Sequence, residues 1–234
     1  MTKPLKTLVY LAALVLILQG CSKSNIGPEE NNSDKLSTWV RDLAGDVDAS
    51  VGHTAPGKDK RDFHSFLFRF SDQKQVWLKT KADSAKYLPQ TDWDLVFSSL
   101  YNSSIYINNG EQQAVAWQGN GSKHKMVLIK ENYDRVQTAP SDAEFDQSKL
   151  YQIGMITDQD SPGWYNYSTT SHLVQVPSNR TYVFRLSNGK YGKLQLINVY
   201  KGNPPAVTDL KWATPYFTFR YFIQADGSKN LKTY

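Results

Sequence analysis

Side chains able to hold a metal, attack a carbonyl or move a proton near neutrality are few in this chain and far apart. The histidines are His53, His64, His124 and His172, and the single cysteine is Cys21. No two histidines share a spacing that would place both imidazoles on one metal ion. There is no Gly-x-Ser-x-Gly elbow, no phosphate loop and no His-Glu-x-x-His helix. Carboxylates gather only as Asp92/Asp94 and Asp158/Asp160. Residues two apart on a strand share a face, which does not make them an acid–base pair, and both sets read as solvated loop or strand-end residues. The chain is therefore not expected to be an enzyme. What remains is a soft thioether, Met155, then the aromatic run Trp164-Tyr165-Asn166-Tyr167, then His172. His124, between Lys123 and Lys125, reads as a surface turn residue, with Met126 opening a core strand.

Cys21 has a different chemistry. Lys3 and Lys6 give a positive start, Leu8 to Leu18 is almost wholly apolar, and Leu18-Gln19-Gly20-Cys21 fits the lipobox at which a signal peptide is cleaved and the new N-terminal cysteine is lipidated. The apolar run is shorter than the roughly 20 residues a transmembrane helix needs. Each buried acyl methylene contributes about 0.8 kcal/mol, so several chains anchor far more firmly than one. With no second cysteine, no disulfide within the chain is possible. The expected organisation is a signal peptide over 1–20, a polar lipidated tether over 21–36 and one β-rich domain over 37–234. Loss of residues 1–20 removes two lysines and no acid, taking the formal net charge from +5 to +3. That mild excess and an exported address both argue against a nucleic-acid partner.

The elements that must position these residues are strands. His64 to Phe70 puts Phe66, Phe68 and Phe70 on one face, and Val76-Trp77-Leu78 returns after a polar turn. Trp93 to Phe97 and Ser104 to Ile107 make a second pair, and Ala114 to Trp117 and Met126 to Ile129 add short apolar runs. Thr181 to Leu186 alternates, Asn188-Gly189 supplies a turn tolerant of positive φ, and Tyr191 to Tyr200 alternates back. Tyr216 to Ile223 extends that hairpin into a meander. Between Leu36 and Ala49 the spacing of Leu36, Trp39, Val40 and Leu43 predicts a short helix. The expectation is an all-β domain of short antiparallel strands and hairpins with a minor helix.

Several of these segments, in order, resemble the HmuY family of haem-binding lipoproteins. They are Thr91-Asp92-Trp93-Asp94-Leu95-Val96-Phe97, Ile107-Asn108-Asn109-Gly110, Gly163-Trp164-Tyr165, the block from Thr181 to Leu194, and Tyr216 to Tyr221. The resemblance implies a haemophore-like fold that takes haem and passes it to a TonB-type outer-membrane receptor, with the membrane met only through the lipid anchor. It also implies two axial side chains on the iron, one from the central region and one shortly after the Gly-Trp segment. Met155 and His172 are the candidates here. His172 reads equally as a polar strand-end residue, and Met155 as core packing. Trp164, Tyr165 and Tyr167 are candidates for stacking on the ligand, and a tyrosinate can itself ligate ferric iron; the same residues read equally as cross-strand pairs. The alternative is the same lipoprotein fold with another ligand, such as a glycan, a peptide or the transporter itself.

Overall fold

Phe66, Phe68, Phe97, Phe217 and Phe219 are all completely buried, and they lie where two five-stranded sheets share one core. A computed structural model describes residues 34–51, 57–110 and 122–234, all within one unit, Ser33–Tyr234. The signal peptide, Cys21, the tether up to Ser33, His53 and the Ala114 to Trp117 run lie outside the described residues. In chain order the strands are β1 (Thr38–Ala44), β2 (Ala49–Ser50), β3 (Asp59–Lys60), β4 (Ser65–Phe68), β5 (Gln75–Leu78), β6 (Leu95–Ser98) and β7 (Ser104–Ile107). They continue with β8 (Lys125–Ile129), β9 (Gln152–Ile153), β10 (Asn166–Tyr167), β11 (Val174–Gln175), β12 (Thr181–Arg185), β13 (Tyr191–Asn198) and β14 (Tyr216–Ile223).

One sheet has the order β1-β14-β13-β12-β8 and the other β5-β4-β6-β7-β9. Every pairing in both is antiparallel; the only parallel strand pair described is the two-residue β2/β3. The fold is all-β, as the alternating pattern implies. Aromatic rings join the sheets: Phe97, stacked on Phe66 of its own sheet at 4.7 Å, meets Phe217 of the other at 4.8 Å, and Phe68 meets Phe219 edge-on at 5.3 Å. Such offset and edge geometries add to simple area burial. The β12–β13 hairpin turns where expected, with Gly189 at φ +80° and the Leu186 amide donating to the Lys190 carbonyl at 2.8 Å.

The helix predicted between Leu36 and Ala49 is instead β1. Val40 lies opposite Phe219 and Leu43 opposite Phe217, so three steps on β1 span two on β14. The extra residue is a bulge, with Asp42 at φ +53°. A bulge advances the inward face by one position, and the resulting i, i+3 spacing of apolar residues imitates a helix. Two short helices lie elsewhere, α1 (Lys81–Tyr87) and α2 (Asp142–Gln147), each opened by a capping box: Thr80 with Asp83, and Ser141 with Glu144. Both boxes are legible as Thr/Ser-x-x-Asp/Glu. Among the described residues no helix is long and apolar enough to cross a membrane.

Candidate ligand-binding site

The segment from Gly154 to Gln175 carries most of the residues singled out above. Its base is rigid. The Trp164 amide donates to the Gly154 carbonyl at 2.8 Å, the Ile156 amide donates to the Tyr165 carbonyl at 2.7 Å, and Met155 bridges Tyr165 in parallel register. This approach needs a glycine at 163, where a Cβ would lie 2.5 Å from the Met155 carbonyl carbon and oxygen. Trp164 corrects one expectation. Its ring is fully buried, its Nε1 donates to the Ser103 carbonyl at 2.8 Å, and it packs against Phe217. It is a core post and presents no face for stacking. Tyr165 is half-buried and donates from its hydroxyl to Ser103 Oγ at 3.1 Å.

Beyond this base the chain forms a small hairpin. Asn166 pairs with Gln175 and Tyr167 with Val174, and the Val174 amide donates to the Tyr200 hydroxyl at 2.9 Å, docking the hairpin on the residues that follow β13. Successive side chains of a strand alternate, so Tyr165 and Tyr167 share a face, and a residue bridged to Tyr165 in register joins them. That residue is Met155, which is 46% exposed and not a core residue; Tyr167 is 41% exposed. At the hairpin tip the His172 amide donates to the Ser168 carbonyl at 2.8 Å, with His172 at φ +58°. A non-glycine residue there costs about 1–2 kcal/mol. The strained turn brings His172 Nδ1 to 2.8 Å from the Tyr167 hydroxyl, and both side chains are exposed.

The structure thus joins Tyr167 to His172 and Met155 to Tyr165, with the two tyrosines linking the pairs along one strand. It shows no contact between Met155 and His172, the pair singled out as axial ligands. In the tautomer that carries the imidazole proton on Nε2, the phenol donates to Nδ1, and no described residue engages Nε2. Among the described residues there is no cluster of three or more histidine, cysteine or acidic side chains able to hold a metal ion.

A second arrangement was not legible in the sequence. His124 is only 4% exposed and is not a surface turn residue. Its Nδ1 accepts from the Ser187 amide at 3.1 Å, and its Nε2 faces Asp94 Oδ1 at 3.1 Å. With Nδ1 accepting, Nε2 carries a proton and donates to the carboxylate. Asp94 also accepts from the Phe70 amide through Oδ2 at 2.6 Å, so it is a half-buried bridge, while Asp92 is the exposed partner of Arg69. Asn108, 1% exposed, completes the network: its Oδ1 takes the Ser122 amide, its Nδ2 donates to the Trp93 carbonyl, and its carbonyl takes the His124 amide. The Asp158 carboxylate, for its part, accepts the Asp160 and Ser161 amides. These amide bonds and the Thr157 hydroxyl hold it below the usual carboxylate range, the hydroxyl foremost.

No protein-family model matches the chain, and no curated protein matches it. Among solved structures, a Bacteroides fragilis protein described as a lipoprotein is similar at 11% identity and a TM-score of 0.41, over 81% of this chain and 92% of that one. A Bacteroides vulgatus protein described as HmuY-like and heme-binding is similar at 14% identity and a TM-score of 0.34, over 80% and 90%. The apo HmuY analogue of Tannerella forsythia gives 10% identity and 0.37, over 82% and 96%. Two of the three, those of Bacteroides vulgatus and Tannerella forsythia, are described by the HmuY name that the ordered segments of the sequence resemble. At such identities and scores they say nothing of ligand or receptor, and what the site can do rests on its own residues.

Proposed function

We propose that this chain is an exported lipoprotein, held at the outer membrane through Cys21, that captures haem and hands it to a TonB-type receptor without catalysis of its own. The observation that carries the reading is the Tyr167 hydroxyl at 2.8 Å from His172 Nδ1 on an exposed hairpin. A phenol is a poor ligand until it loses its proton, because its ordinary pKa lies near 10. The neighbouring imidazole offers an acceptor for the phenol's proton when ferric iron engages the oxygen, so the pair suits a tyrosinate ligand. Phenolate is a known axial ligand of haem. Met155 and Tyr165 extend the same face with an apolar thioether and an aromatic edge on which a macrocycle can lie. His172 thus assists Tyr167 in this reading and does not pair with Met155 on the iron.

Titration of the purified full chain with haemin tests this. A Soret band should appear with a phenolate-to-iron charge-transfer band. Tyr167→Phe should abolish the latter and weaken binding by about tenfold or more, the loss of roughly 1.4 kcal/mol. His172→Gly deletes the imidazole while relaxing the left-handed turn, so it should weaken haem binding with no loss of thermal stability. Absence of any spectral change at micromolar haemin would sink the reading. A bound spectrum unaltered by Tyr167→Phe but lost in Met155→Ala would move the ligand to the thioether.

A further inference from the structure

Thirteen residues, Cys21 to Ser33, precede Asp34, and fully extended they reach no more than about 45 Å. Asp34 is itself fixed, its buried carboxylate 3.0 Å from the Arg220 guanidinium. Whatever holds Cys21 is therefore never far from the surface around Asp34. Lys35 and Leu36 come next, and their amides both donate to the Thr233 carbonyl, which sets Tyr234 beside them. Leu36 is 58% exposed, Tyr234 40% and Trp39 38%. On β1, Val40 belongs to the shared core, so Trp39 and Arg41 point to the other side of the sheet.

Trp39 is held in place there. Arg41 lies 4.7 Å and Arg220 5.5 Å from its ring centre, and Arg220 is bound in turn by Asp34 and Asp134 at 3.0 Å each. Lys35 and Arg41 are exposed and make no ion pair among the described residues. Indole and phenol rings with long basic side chains around them are the mixture that settles at headgroup level in a bilayer, the rings at the boundary and the cations reaching outward. The exposed aromatic residues Tyr167 and Trp212 belong to the other end of the domain. Thr38 pairs with Tyr221 and Ala44 with Tyr216, and the Tyr216 amide donates to Val199, the Lys201 amide to Ala213. Tyr200, between them, carries the Tyr167 hairpin. The eight residues of β14, roughly 25 Å of strand, separate that end from Asp34.

We infer that Leu36, Trp39 and Tyr234, with Lys35 and Arg41, form a second membrane contact that seats the root of the tether in the headgroup layer of the bilayer holding Cys21. The inference rests on the acylation of Cys21 proposed above and adds orientation to it: one attachment sets a distance, whereas two set which side faces lipid and keep the Tyr167–His172 hairpin away from it. A contact too weak to bind alone suffices, because the anchor supplies the effective concentration. The acylated full chain in vesicles of phosphatidylethanolamine and phosphatidylglycerol with brominated acyl chains tests this. Tryptophan fluorescence should be quenched relative to unbrominated vesicles. Trp39→Phe should remove that quenching, Leu36→Ser should reduce it, and Trp212→Phe should leave it unchanged. Absence of quenching, or quenching that survives Trp39→Phe, would overturn the inference, as would loss of quenching in Trp212→Phe, which would put the opposite end on lipid. A dimer of the detergent-solubilised chain that Leu36→Ser disperses would give the patch to a second copy and overturn it too. Mass spectrometry of Cys21 keeps the two readings apart: an unlipidated cysteine defeats the anchor, and quenching on mixing that chain with the same vesicles then decides the patch by itself.

Discussion

Lys193 lies in the middle of β13 with no exposed surface, its Nζ donating to the Tyr133 and Val136 carbonyls at 2.9 Å each. It stands 4.2 Å from the centre of the Tyr133 ring, and the Arg220 guanidinium lies 4.1 Å from the same ring. Burial, opposed by Asp34 and Asp134 and reinforced by Arg220, pulls its pKa down to about 8. In the unfolded chain the group titrates near its ordinary value, so between those two pH values the unfolded state binds more protons and stability rises with pH. The desolvation cost is present in full below about pH 8 and is relieved above it, by up to the order of 3 kcal/mol. Buried tyrosines set the upper bound. Burial raises Tyr133 and Tyr182, and Tyr221 reaches about 12, so above about pH 10 the unfolded state sheds phenolic protons first and stability falls. Urea unfolding midpoints should therefore climb from about pH 7 to about pH 9.5 and then drop, and Lys193→Met should flatten the climb. None of this was legible beforehand, because Lys193 and His124 look like ordinary surface residues until partners far along the chain close over them. Tyr167 and His172, only five residues apart, both stand out in the sequence, but their contact depends on a left-handed turn that no residue type announces.

Strands were the readable elements, and the exceptions have physical causes. Alternation survives wherever a strand pairs without interruption, as in β4 and β12. It fails in β1, where the Asp42 bulge gives Val40 and Leu43 a helical spacing. The capping boxes of α1 and α2 are plain in the sequence, but the helices they open are barely two turns long and carry no apolar periodicity of their own. At the same scale Gly163 governs the candidate site. A methyl group there would lie within 2.6 Å of backbone atoms of Met155 and Ile156, so Gly163→Ala must push the Gly154–Ile156 segment away from Trp164 and Tyr165. Overpacking of backbone costs about 1–3 kcal/mol. The variant should lower the melting temperature and weaken haemin binding together, whereas His172→Gly should separate the two effects.

At the level of the whole molecule, stability is concentrated where the two sheets share aromatic rings. Phe97 touches Phe66 on its own sheet and Phe217 and Phe219 on the other. Phe97→Ala should cost about 3–5 kcal/mol, read as a fall in denaturant midpoint with an unchanged slope if the sheets still unfold together. The shared aromatic core was foreseeable from the phenylalanine periodicity; the order of strands was not, since β1, the first strand in the chain, closes against the last, β14.

That pairing also fixes the first described residues of the domain. Asp34 forms a buried ion pair with Arg220 at 3.0 Å, the Lys35 and Leu36 amides both donate to the Thr233 carbonyl, and Ser37 bonds the Tyr133 hydroxyl at 2.7 Å. If a receptor grips the domain while Cys21 stays fixed in lipid, tension enters through Asp34. It then runs along an edge strand whose hydrogen bonds to β14 lie across the direction of pull and must fail many at a time rather than one by one. Under the proposed anchoring, the domain is held like a hook with a reinforced eye, so that a pull on Cys21 would load the β1–β14 pair as a whole.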